Sequence, residues 1–203
     1  MKNLLVVIDM VNGFVNFGAL ADKNIDKITP TILDIMKEAE KNNFSLLAFK
    51  DCHTENDEEF KLFPPHCIKG TEESELIPQL KAVSNMFDFI IDKNTTNGFV
   101  TRQFQNLLKI NMYDNVLVCG CCTDICVSNF VKSYIDYIKK EKLPTKVVVF
   151  ENACYTFDGK GHNAEEFHRN SIQEMKNYGA KIVKYPIKMQ EEALWKNYWV
   201  SKK

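Results

Sequence analysis

Aliphatic residues along this chain gather into six short runs, at positions 4–8, 46–49, 89–91, 116–119, 147–150 and 181–183. They do not alternate apolar with polar, and the first reads Leu-Leu-Val-Val-Ile. Such runs suit parallel β-strands covered on both faces, because alternation marks a strand with one wet face. Between the runs the period becomes helical. Ile32, Ile35, Met36 and Ala39 stand at i, i+3, i+4 and i+7, and Phe104, Leu107 and Leu108 repeat the spacing over a shorter segment. The clearest stripe is Val127, Phe130, Val131, Tyr134 and Ile138. A last helix is predicted over about 164–178, stopping at Gly179, since glycine tolerates the conformation that ends a helix.

Strands alternating with helices predict an α/β fold of three layers, with a six-stranded, mostly parallel sheet between two layers of helices. No repeat, low-complexity tract or linker interrupts the pattern, so residues 1–203 are expected to form a single domain. The least regular stretch, 51–78, is polar and rich in acids. A long irregular stretch inside a compact domain is usually functional or disordered.

Composition narrows the class. Hydrophobic residues make up 45% of the 203, and 14 Phe, 7 Tyr and 2 Trp are too much apolar mass for a solvated coil. A formal net charge of −1 removes the electrostatic argument for a nucleic-acid or polybasic membrane binder. No apolar run approaches the ~18 residues of a membrane span, and the first residues do not read as a signal peptide. Seven cysteines, an odd number in a chain of this length, fit free thiols in a reducing cytoplasm.

Four of those cysteines, Cys119, Cys121, Cys122 and Cys126, crowd the end of the fourth run. Ligands of open α/β sheets sit outside the carboxyl ends of the strands. There the chain offers Asp9, then Asp51 and His53, then Lys93, then positions 120–126, then 152–154. Thr123 reads as an N-cap, which puts Cys126 in the first helical turn, where the helix dipole should lower its pKa and make thiolate available. A buried structural thiol is the plain alternative. A four-thiolate metal site is disfavoured, because no second Cys-x-x-Cys pair closes a tetrahedron. Asp9 can serve as the base that a cysteine nucleophile needs. Lys93 would hold Asp9 and Cys126 in register. Taken singly, Asp9 reads as a strand-end cap and Lys93 as a solvated lysine. His162 and His168 read as surface or cap residues. Asp51, His53 and His66 form a metal candidate suited to zinc, iron or manganese, with Glu55, Asp57, Glu58 and Glu59 as sources of a fourth ligand.

These motifs, in this order, resemble the isochorismatase-like cysteine hydrolases, and within them the nicotinamidases. The matching segments are 7–14 with Asp9 and Phe14, Asp51-x-His53, 63–71 with His66, Lys93, and 120–127 with Cys126. Asn152-Ala153-Cys154 matches a family Asp-Ala-Cys with Asn in place of Asp. The resemblance implies the sheet order 3-2-1-4-5-6 and a catalytic triad of Asp9, Lys93 and Cys126. It also implies a non-proline cis peptide between Cys121 and Cys122, with backbone N–H groups of Cys122 and Cys126 facing the substrate oxygen. Asp51, His53 and His66 would hold a divalent metal, zinc first, with Glu59 as a further ligand. Phe14 and Phe63 would sandwich an aromatic ring, although position 63 is more often Trp in the family. The implied activity is hydrolysis of nicotinamide to nicotinate and ammonia, as in NAD salvage, by a homo-oligomer (dimer or tetramer). Two readings stand beside it: a family amidase for ureido or carbamoyl compounds, and a non-catalytic binding module on the same fold. The aromatic tail at 196–202 is expected to dock on a neighbour or on the chain's own core.

Overall fold

The computed structural model describes residues 2–186, so the tail at 196–202 lies outside the described residues. Six strands form one sheet: β1 (Asn3–Ile8), β2 (Ser45–Asp51), β3 (Phe89–Lys93), β4 (Asn115–Gly120), β5 (Lys146–Cys154) and β6 (Lys181–Val183). Their order is 3-2-1-4-5-6 and every pairing is parallel. The helices are α1 (Asn12–Val15), α2 (Thr29–Lys41), α3 (Pro78–Lys81), α4 (Arg102–Ile110), α5 (Ser128–Glu141) and α6 (Ala164–Tyr178).

The unbroken apolar runs are explained by burial on both faces. Leu5 and Val7 of β1 join one core with residues of α1, α2 and α3. Leu4, Val6 and Ile8 join a second core with residues of α4, α5 and α6. Every residue of β1 and β4 is buried. At the sheet edge the coverage ends, and Ile90 of β3 is exposed. The stripe of α5 becomes an aromatic cluster in which Phe49 of β2 meets Phe104 and Phe130, each at 5.5 Å between ring centroids. Gly179 ends α6 at φ +126°, a backbone conformation that side chains disfavour.

Two local features set up the carboxyl edge. Gly120 ends β4 at φ +119°, and a Cβ there would lie 2.1 Å from the Ile8 carbonyl oxygen, so only glycine permits this approach of β4 to β1. The acid-rich stretch 51–78 is not structureless: it holds 3₁₀ turns at Glu58–Lys61 and Glu72–Ser74. Isolated bridges His53↔Ile68 and Val11↔Leu76 fold it against the edge.

Candidate active site

Strands β2, β3 and β5 run further than the apolar pattern alone suggested. Asp51, Lys93 and Cys154 are the last residues of their strands rather than loop residues. Asp51 and Lys93 are register partners in the β2–β3 ladder. Lys93 Nζ lies 2.6 Å from Asp51 Oδ1 and 2.8 Å from Asp9 Oδ2. It also donates to Cys126 Sγ at 3.8 Å. All four side chains are buried. Lys93 is therefore not a solvated lysine but the cation between two carboxylates and a thiol.

Burial and the charges buried together set the proton states here. It pushes the Asp9 carboxyl up to about 6, against the pull of Lys93. For Asp51 burial acts upward too, but the Lys93 ammonium and the hydrogen bonds of His53 and His66 outweigh it and hold the group well below the usual carboxylate range. Lys93 stays above its ordinary value, because Asp51 and Asp9 outweigh its loss of solvation.

The turn carrying Cys126 differs from the expected N-cap. Residues Thr123–Val127 form a π-helical turn that leads into α5, and Thr123 does not cap it. The Thr123 hydroxyl meets His168 Nδ1 instead, at 2.9 Å. Burial pushes the Cys126 thiol well up, and the positive charge of Lys93 opposes this without reversing it. The expected dipole-stabilised thiolate is thus overturned: desolvation of the charged form dominates. The Cys121–Cys122 peptide is cis. Cys121 Sγ donates to the Asp9 carbonyl at 3.1 Å, which ties the turn to the end of β1.

Beside this set, Asp51 Oδ2 lies 2.9 Å from His53 Nε2 and 3.1 Å from His66 Nε2. The far nitrogens are engaged as well. His53 Nδ1 meets Asp57 Oδ2 at 3.0 Å, and His66 Nδ1 meets the Pro64 carbonyl at 2.8 Å. A carbonyl only accepts, so His66 Nδ1 carries a proton and Nε2 keeps its lone pair when the ring is neutral. Two imidazoles oriented from behind, plus a carboxylate, with ligand atoms within 4.8 Å of one another, suit a divalent cation. Glu59 Oε1 stands 4.0 Å from His66 Nε2, at the margin of this group. Asp57 does not join the ligand atoms but orients His53 from behind.

A cavity of about 360 Å³ opens over Cys126, with Phe14, Phe63, Asp51, His66 and Glu59 in its lining. Phe14 and Phe63 lie 5.6 and 6.4 Å from the His66 ring. The motif reading missed Phe60, which packs on both imidazoles at 5.0 and 5.4 Å. Its signal was present, since Phe60, like Phe63, stands between the acidic run and His66. His162 and His168 were also misread. His162 contacts Asp124 and His168 contacts Thr123, both within the Cys126 turn.

The isochorismatase-domain family model matches residues 3–185. Nicotinamidase 1 of Arabidopsis thaliana is 32% identical over 206 residues, covering 88% of this chain and 84% of that protein. The nicotinamidase structure from Bacillus subtilis superposes with a TM-score of 0.75 at 26% identity, over 90% of this chain and 99% of that one. The pyrazinamidase of Pyrococcus horikoshii in complex with zinc has a similar fold, with a TM-score of 0.71 at 24% identity, over 91% and 100% of the two chains. The chain belongs to the isochorismatase family, in its nicotinamidase branch. It is an amidase acting on a small molecule, and among the described residues no helix is long and apolar enough to cross a membrane.

Proposed function

We propose that the protein hydrolyses nicotinamide to nicotinate and ammonia through a thioester on Cys126. The observation that carries this reading is the position of Lys93, which joins Asp9 and Cys126 on one side to Asp51 on the other, beside a cavity that opens over Cys126. Cys126 is protonated at rest, so its proton must leave as the sulfur attacks. Asp9, near 6, is ionised at neutral pH and is the base for that step. Sulfur bonds to the amide carbon, and Asp9 takes the thiol proton. Backbone N–H groups of Cys122 and Cys126 face the developing oxyanion. When the tetrahedral adduct collapses, Asp9 returns the proton to the departing nitrogen, and ammonia leaves. Water then attacks the thioester, giving its proton to Asp9. The carbon–sulfur bond breaks, and the proton returns to Cys126. Lys93 keeps Asp9 aimed at the sulfur and balances its charge throughout.

Asp51, His53 and His66, with Glu59 as a fourth donor, would hold a divalent cation, zinc foremost and iron or manganese otherwise. When bound, that ion supplies a Lewis-acidic point for the ring nitrogen, which Phe14 and Phe63 would flank. Ammonia release by the purified protein tests the reading. Release from nicotinamide at enzymatic rates supports it. Release only from ureido or carbamoyl compounds would replace the substrate, and no release from any amide would favour a binding module.

A further inference from the structure

One more group of side chains reaches the turn that carries Cys126. Asp124 stands two positions before the thiol, and its Oδ2 lies 2.8 Å from His162 Nε2. On the opposite side of the ring, His162 Nδ1 donates to the Phe157 carbonyl at 2.9 Å. The imidazole lies flat on the Phe157 ring, with centroids 4.0 Å apart and planes 3° apart, and Phe167 closes on it at 3.8 Å. Backbone bonds between Gly159 and His162, at 2.9 and 3.0 Å, close the loop between them. The loop is fastened again at Asp158, whose N–H donates to Asp22 Oδ2 at 2.8 Å. Phe157 lines the same cavity as Cys126, Phe14 and Phe63.

We propose that Phe157 is a third aromatic contact for the substrate ring, and that His162 is the positioning residue that sets it. The bridge Asp124–His162–Phe157 links the turn holding the nucleophile to one wall of the cavity. A ring resting on that wall therefore presents its carbonyl at a distance from sulfur that the bridge fixes, which is where positioning lowers a barrier. On that wall the planar ring of the amide already proposed as substrate is favoured over an aliphatic group of equal size. The inference deepens the amide-hydrolase reading and rests on it for the identity of the ring's reactive group.

The test separates the two. Full-length wild type, Phe157→Leu, His162→Asn and His162→Gln are each alkylated with iodoacetamide and with 2-iodo-N-phenylacetamide, and modification of Cys126 is followed by peptide mass spectrometry. KM and kcat for nicotinamide are measured alongside. The phenyl-over-small rate ratio is expected to fall about tenfold in Phe157→Leu. It should fall about threefold in each His162 variant, with KM rising more than kcat falls. A ratio that moves less than about twofold in all the variants that fold overturns the proposal. So does an equal slowing of both reagents in the His162 variants, because the bridge would then align the thiol without setting the wall. If wild type hydrolyses no amide, the functional reading fails, while the alkylation ratio still decides the role of Phe157.

Discussion

Asp51 and Lys93 sit opposite each other at the ends of two neighbouring strands, 2.6 Å apart, and the second oxygen of that carboxylate faces both His53 and His66. One carboxylate thus belongs to two constellations. Its Oδ1 neutralises the lysine that serves Asp9 and Cys126, and its Oδ2 serves the imidazole group. The proposed chemistry at the thiol and the candidate cation group beside it thus share one β-ladder pair.

Removing the lysine charge should expose this joint. Lys93→Met leaves Asp9 and Asp51 buried without their counter-ion, and breaking a buried pair this way costs about 3–5 kcal/mol. Urea unfolding in the presence of a chelator should register that loss, and kcat/KM for nicotinamide should drop by more than about 10³-fold. Unchanged unfolding would show that the two carboxylates do not depend on Lys93.

Cys126→Ala should bring ammonia release down by more than about 10³-fold while leaving the melting temperature near wild type. Full turnover by this variant would sink the thioester scheme.

Acid pH should silence the enzyme before it unfolds. Asp9 must be ionised to take the thiol proton, so kcat/KM should rise with pH through a limb centred near 6, and Asp9→Asn should abolish the limb with the activity. The stability contribution has the opposite sign. Between the ordinary 3.8 and about 6 the folded state keeps a proton that the unfolded chain has lost, so stability from Asp9 declines as pH rises across that window. An acid limb centred near 4 would mean that burial does not govern Asp9.

Asp57→Asn tests the support behind the metal candidate. The substitution weakens the hold on His53 Nδ1 without touching the atoms that face Asp51, so divalent-cation affinity should fall about 10–100-fold in a chelator-competition titration. His66→Ala should cost more, and Glu59→Gln should cost less than His66→Ala if Glu59 is only marginal to the group. Equal affinities in wild type and Asp57→Asn would remove Asp57 from the site.

Gly120→Ala should fail to accumulate as soluble protein. Its methyl would stand 2.1 Å from the Ile8 carbonyl oxygen, and the position is left-handed as well, so the strand ends must part. A folded, active Gly120→Ala protein would refute this account of the β1–β4 junction.

Much of the architecture was legible in the chain itself. Unbroken aliphatic runs and 3.6-residue stripes are local signals of which surfaces must leave water, and they returned the strands, the four longer helices and the parallel sheet. Asp9, Asp51 and Lys93 could be placed at strand ends, and Cys126 in the turn that follows one, and ligand sites gather at that carboxyl edge. Three things were not legible, each for a non-local reason. The pairing of Asp51 with Lys93 depends on the register between two strands 42 positions apart in the chain. The proton state of Cys126 depends on how completely the fold excludes water, which outweighed the local helix dipole. The attachment of His162 and His168 to the Cys126 turn depends on how α6 and the loop before it pack across α5. Local sequence thus determined which elements form and which reactive residues lie at their ends. Only the tertiary structure decided which of those residues touch and what charge they carry, because distance across strands and exclusion of solvent are properties of the assembled core.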